Sequence, residues 1–251
     1  MKKILLSALM LSTLAVVSCN DSDDNSVGQD TGVYLPTKIE STENKQTFVY
    51  DSENRLIESK EINDDGSYTN HVTFGYLSGK LVSAKEITTE VGDTQTYVST
   101  GDYTFTYQNN EVTITEVNTS NWGSSTETTV VTIDSNGRLI SGENLSTVYD
   151  ANGNLTKLVD AEGTETFEYD NKNGIFKNVK TPQWAFYVIL DDWYYLNVNN
   201  ITKMTWDNTS DNEVDFSNLN YEYNAANYPV KINVAGSDNF TNSVAVEYIK
   251  K

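Results

Sequence analysis

Asp191 and Asp192 stand side by side in the most aromatic stretch of the chain, with Trp184, Phe186, Tyr187, Trp193, Tyr194 and Tyr195 around them. Carboxylates beside aromatic platforms suit sugar binding. Rings stack on the apolar faces of a sugar, and carboxylates accept bonds from its hydroxyls. Two carboxylates are also the working pair of glycoside hydrolysis, which needs them on opposite sides of one bond. Adjacent residues of one chain rarely face a substrate from both sides. The bland alternative is a core plug whose Asp pair marks a wet end. Asp191, Asp192, Trp193 and Tyr194 are therefore the candidate ligand-binding residues, and no residue is assigned a catalytic role.

Other chemistry is scarce. His71 is the only histidine and Cys19 the only cysteine. A Ser-His-Asp triad would have to use His71, which "TNHVTF" places at a strand entry as a surface residue. Disulfides and zinc sites of the usual His and Cys type are excluded by count. Asp150, Asn152 and Asn154 alternate as in the first part of a calcium loop. That loop needs Gly at its sixth position and Glu at its twelfth, where this chain has Leu155 and Ala161. These residues read as turn formers, and neither metal nor other cofactor is expected.

The elements that carry these residues repeat. A strand ends near an aromatic, a polar turn follows, and a second strand opens with an aliphatic residue. The units include "TFVYDSENRLIESKEI", "VTFGYLSGKLVSAKEI", "STVYDANGNLTKLVD" and "LNYEYNAANYPVKINV". Their anchors are Tyr50, Tyr76, Tyr107, Ile133, Tyr149, Tyr169, Tyr223 and Tyr248. Within a unit the residues alternate: Tyr103, Phe105 and Tyr107 on one face, Thr104 and Thr106 on the other, and likewise Val230, Ile232 and Val234 against Lys231 and Asn233. This is the period of half-buried antiparallel strands. Asn136-Gly137 and Asn152-Gly153 supply positive φ for tight turns, and Asp134, Asp150 and Asp170 can bond amides two residues on. Two strands per unit predict roughly 14 to 16 strands, too many for an open twisted sheet that does not curl, split or close.

One segment breaks the pattern. Residues 181–200, "TPQWAFYVILDDWYYLNVNN", are apolar on every side from Trp184 to Leu190. Thr181 before Pro182 is a helix-start signal, and a helix apolar all round must be buried. A fully buried strand is the competing reading. The segment is expected to fill the centre of the curved sheet, with Trp184, Phe186 and Ile189 buried.

The chain has 251 residues and a formal net charge of −19. Such a surface repels phosphate backbones and anionic headgroups, so nucleic acid is excluded as a partner and membrane attachment must come from a lipid. Residues 1–18 read as a signal peptide: a basic start, then an apolar run from Ile4 to Val17 that is too short to span a bilayer. Val16-Val17-Ser18-Cys19 resembles a bacterial lipobox, in which Cys19 would be lipidated. The acidic run Asn20–Asp24 resembles the surface-export signal of Bacteroidetes lipoproteins. Residues 19–37 are then a tether and 38–251 a single β domain with an insertion at 181–200.

The Tyr-Asp-x-x-Gly unit at 149–153, its copy at 169–174 and the looser Tyr50-Asp51 resemble YD (RHS-type) repeats. With the lipobox, the tether, the apolar insertion before Asn199-Asn200 and the Tyr228-Pro229 turn, the chain is similar to uncharacterised Bacteroidetes lipoproteins with a porin-like β-barrel domain. The resemblance implies a fold and no established activity. The expectation is an all-β antiparallel barrel or strongly curved sheet with one buried insertion, helical rather than strand. Its function is expected to be non-enzymatic: an outer-membrane lipoprotein facing the exterior, binding a glycan or a partner envelope protein. A purely structural envelope module and a glycoside-processing enzyme are the competing classes.

Overall fold

The computed structural model describes residues 32–190, 197–208, 214–237 and 241–251. Cys19 and the segment 1–31 lie outside the described residues. Sixteen strands form one closed barrel. They are β1 (Tyr34–Glu40), β2 (Asn44–Tyr50), β3 (Leu56–Asn63), β4 (Tyr68–Leu77), β5 (Lys80–Val91), β6 (Thr96–Gln108), β7 (Glu111–Ser120) and β8 (Gly123–Ile133), followed by β9 (Leu139–Gly142), β10 (Leu145–Tyr149), β11 (Leu155–Val159), β12 (Gly163–Tyr169), β13 (Ile201–Asn208), β14 (Val214–Tyr223), β15 (Pro229–Gly236) and β16 (Thr241–Lys250). Each pairs antiparallel with its neighbours in sequence, and β1 closes on β16, from Tyr34 opposite Lys250 to Glu40 opposite Ala245. β1 starts inside the segment read as tether, because Leu35 and Pro36 are buried and belong to the barrel wall.

The repeat has a local physical cause. At one rim the anchor tyrosine pairs with the aliphatic residue after the turn, as Tyr50 with Leu56, Tyr149 with Leu155 and Tyr223 with Pro229. The next residue is extra, a β-bulge. The bulged residues are Thr37, Ile57, Val82, Ile140, Thr156, Thr202 and Val230. Bulges bend a strand and raise its twist, and they gather at barrel rims. Here each one also resets the side-chain alternation, so that buried residues recur three apart: Leu56 with Ser59, Leu81 with Ala84, Leu155 with Leu158. Val230, expected on the inner face with Ile232, is consequently exposed at 36% while Ile232 is buried.

Between hairpins the backbone ladder stops short of this rim. β3 and β4 pair only as far as Glu58 opposite Thr73. There the Tyr76 hydroxyl donates to the Leu56 carbonyl at 3.0 Å. Tyr107 does the same to Leu81 at 2.8 Å, Tyr221 to Ile201 at 2.6 Å and Tyr248 to Pro229 at 2.9 Å, and Tyr169 bonds Leu155. Tyr50 Oη, by contrast, is buried without a partner, and Thr147 bonds the Leu139 carbonyl. The remaining exception follows the same rule. The β6–β7 hairpin carries no bulge, β7 and β8 pair down to Glu111 opposite Thr132, and the Ile133 N–H reaches Asn110 O at 2.7 Å. No carbonyl is left for a hydroxyl, and the anchor there is Ile133.

The connection from β12 to β13 is long and turns back over this rim. Its helical part is short: an α-helical turn α1 (Gln183–Ala185) continued by a π-helical turn, Phe186–Leu190. Thr181 does not cap it. Pro182 occupies the cap position with extended backbone, and the Thr181 hydroxyl accepts from the Leu56 N–H at 2.8 Å and meets Tyr76 Oη at 2.9 Å. The Asn197 side chain likewise accepts the Leu155 N–H at 2.8 Å. Both amides are freed by a bulge, and a buried amide needs a partner. At Pro36 and Pro229 the equivalent residue has no N–H to satisfy. Trp184, Ala185, Phe186 and Ile189 are buried as expected, with Trp184 edge-on to Phe105 at 5.0 Å and Phe186 against Phe176 at 5.3 Å. The plug and the rim of the barrel form one core.

The outer wall is polar. It carries ion pairs such as Lys85–Asp102 at 3.1 Å and Lys231–Glu222 at 3.2 Å, and its exposed apolar residues are scattered. A lipid-spanning barrel has the reverse arrangement, with an apolar band outside.

Trp184→Ala should cost about 3 to 5 kcal/mol in urea denaturation, as large-to-small core changes do. Trp184→Phe should cost much less, since it keeps the ring packing and removes an indole N–H that has no partner. Unchanged stability of the Ala variant would show that the plug does not fill the core.

Candidate functional site

Two polar regions stand out, one at each end of the barrel. The first is a crevice of about 430 Å³ at the plugged rim, between the β8–β9 and β10–β11 turns and the entry of the plug. Asn136, Arg138, Asn152, Lys180 and Gln183 present side chains to it, and Val179 and Val198 provide apolar wall.

The turns that bound the crevice are rigid. Asp134 Oδ1 accepts the N–H groups of Asn136 and Arg138 at 2.8 and 2.9 Å, while its Oδ2 takes Arg138 Nε at 2.7 Å. The guanidinium lies over the Tyr149 ring, 4.6 Å from its centroid. Asp150 Oδ1 accepts three backbone N–H groups, from Asn152, Gly153 and Asn154. The buried Asn154 side chain bonds Asp150 Oδ2 at 3.0 Å and Asn199 of the plug at 3.0 Å. The alternating Asp and Asn residues thus hold a turn. Gly137 and Gly153 have φ of 76° and 98°. A Cβ on Gly153 would lie 3.3 Å from the Arg138 guanidinium and 3.5 Å from Val198, partly filling the crevice.

The second region is the inner wall toward the opposite end. Registers place Glu61, Asn70, Glu86 and Glu116 on the same face as the buried Val72 and Tyr103. They are joined by side-chain bonds: Asn70 to Glu86 at 2.6 Å, Asn44 to Glu61 at 2.8 Å, and Tyr103 to Glu86 and Glu116 at 3.0 and 3.1 Å. Glu165 also faces inward, beside Trp206 and Asp215 at a cavity of about 120 Å³. Burial, with Asp160 adding repulsion, raises its carboxyl to about 7.

Asp191, Asp192, Trp193 and Tyr194 lie outside the described residues. Val198, just after that segment, lines the crevice. His71 sits on the outer face of β4, 3.4 Å from Glu58. The crevice residues escaped the sequence reading because each belongs to a turn that also explains itself structurally. The one available signal was that two Asn-Gly turns, at 136–137 and 152–153, fall in successive repeat units.

Residues 149–173 match the RHS Repeat family model, a span that runs from one Tyr-Asp anchor through β11 and β12 to the next. Among solved structures, a porin-like protein from Bacteroides vulgatus ATCC 8482 is similar at 15% identity over 86% of this chain and 99% of its own, with a TM-score of 0.45. A porin-like protein from Bacteroides uniformis ATCC 8492 is similar at 12% identity over 86% of this chain and 96% of its own, with a TM-score of 0.38. No curated protein matches the chain.

The carboxylates give a signed pH dependence. For Asp51, Asp134 and Asp150 burial pushes the carboxyl up, but backbone N–H bonds together with Arg55, Arg138 and Asn154 outweigh it, and all three end below the usual value. Their contribution is present above the unfolded value of about 3.9 and is lost as pH falls through the folded values. Glu165 acts in the opposite sense: raised to about 7, it favours the folded state more as pH falls from about 7 toward 4.3. Thermal stability should therefore rise modestly from pH 8 to 5 and drop below about 4. Glu165→Gln should flatten the upper limb, and Asp150→Asn should lower stability at neutral pH while reducing the acid loss. A Glu165→Gln profile identical to the parent's would remove Glu165 from this account.

Proposed function

We propose that the protein is a non-enzymatic binding barrel of the bacterial cell envelope, held by a lipid on Cys19 and taking a glycan in the rim crevice. The observation that carries the reading is the crevice itself. Its volume lies in the range of roughly 300 to 1,000 Å³ typical of small-ligand sites. Amide, guanidinium and ammonium donors converge on it, and rigid turns fix its walls. Among the described residues its lining is amide, cationic and apolar, without a carboxylate. The polar outer wall supports a barrel that stands in water, tethered to a membrane and not spanning it. β1 enters at the plugged rim, where the Lys251 N–H bonds Val33 O at 2.9 Å. The proposal has the chain reach its anchor from that rim, with the opposite end pointing away from the membrane.

The test is a glycan panel read against the full chain. At least one glycan should bind, and Lys180→Ala with Asn152→Trp, both at exposed positions, should weaken it at least tenfold with little change in melting temperature. A panel in which the parent binds nothing removes the glycan reading. In cells, Cys19→Ala should move the protein to the soluble fraction, and a variant that stays membrane-bound removes the lipid anchor.

A further inference from the structure

The wall of the barrel is tallest at β5 to β8, and its free end carries an unusual pair of rings. Trp122, in the β7–β8 turn, is 78% exposed. One of its faces stacks on Tyr97 of β6, with centroids 5.3 Å apart and planes inclined by 22°. The registers of β5 with β6 and of β6 with β7 run without a bulge, so side-chain direction can be followed along them. Tyr97 lies an even number of residues from the buried Tyr103 and shares its inward face. Glu90 is directly opposite Tyr97, and Glu116 directly opposite Tyr103. The aromatic pair thus stands at the lip of the end opposite the plug, on the same face as the acidic inner wall below it.

Charge decides what this lip can accept. From Glu86 to Gly137 the chain contains no Lys, Arg or His, while Glu90, Asp93, Glu116 and Glu127 are among its acidic residues. Glu116 and Glu127 moreover face each other across β7 and β8. Like charges directly opposite in an antiparallel pair destabilise it. Tyr103 Oη donates to Glu116 at 3.1 Å but is neutral, so among the described residues no positive charge offsets that cost, and a cation from outside would. An indole face that is open to water, above uncompensated carboxylates, is suited to a guanidinium or ammonium group. Anionic lipid, nucleic acid and sulfated sugars are repelled by the same wall.

We propose that the Tyr97–Trp122 lip and the acidic wall beneath it dock a basic polypeptide segment of a partner protein. An Arg side chain of the partner lies over the free face of Trp122, and further basic side chains reach Glu90 and the Glu116–Glu127 pair. This surface is at the opposite end of the barrel from the crevice and does not depend on the glycan reading.

The probe is an eight-residue peptide of alternating Arg and Gly, titrated against the full chain in detergent and followed by tryptophan fluorescence and calorimetry. The peptide should bind, and binding should weaken as salt rises. Trp122→Ala should weaken it at least tenfold with no loss of melting temperature. Glu127→Gln should also weaken binding while raising the melting temperature, because it relieves a repulsion. Glu222→Gln, an outer-wall change of equal charge, should leave binding unaltered. The proposal is overturned if the peptide fails to bind, or if Trp122→Ala and Glu222→Gln bind it as the parent does, which would reduce the effect to diffuse net charge. It is equally overturned if Trp122→Ala loses a neutral oligosaccharide from the panel and keeps the peptide.

Discussion

A buried backbone group must find a hydrogen-bond partner, and at the plugged rim of this barrel that constraint shapes everything else. The bulges at this rim bend the strands so that sixteen of them can close, but they also end the ladder between hairpins early. Carbonyls are left open on one side of each seam and amides on the other. The tyrosine hydroxyls take the carbonyls, as Tyr76 takes Leu56 O. The plug takes amides, as Thr181 takes Leu56 N–H and Asn197 takes Leu155 N–H. Proline removes the amide altogether at positions 36 and 229. The insertion is therefore more than apolar filling. Its polar side chains complete the backbone bonding of the wall it closes.

This explains which parts of the fold were legible. The turns were, because Asn-Gly and Asp chemistry is local: Gly137 and Gly153 have the positive φ that their turns require. The plug was also legible, since no surface helix is apolar from Trp184 to Leu190, and its burial follows from solvent alone. The inner face was legible only in part. A period of two holds in β6, where Tyr103, Phe105 and Tyr107 all turn inward. It fails in β15, where the bulge at Val230 shifts the buried set to Pro229 and Ile232. The signal was present as apolar residues three apart around each bulge, in "LTKL", "PVKI" and "PTKI". A strict alternation template reads past it. The same bulge logic accounts for Ile133 among the tyrosines, which sequence comparison of the units leaves as an unexplained substitution.

The candidate site was the least legible part. Arg138 is bound to Asp134 and stacked on Tyr149, so in sequence it is one more turn residue. Only the closed ring brings two such turns and the plug entry around a common crevice. The acidic inner wall is similar. Its glutamates look like ordinary surface positions of amphipathic strands until the register puts them on the face of Val72 and Tyr103. The interior is thus apolar at the plugged end and acidic at the other, inside a wall that is polar outside.

That seal is most directly tested by hydrogen exchange with mass spectrometry on the full chain. If the plug completes the bonding of the rim, the amides of residues 179–190 should exchange as slowly as those of β3 and β11, whose freed amides it satisfies, and should lose protection together with them under mild denaturant. Fast exchange of residues 179–190 beside protected strands would show a loop resting on an open barrel and would contradict the account.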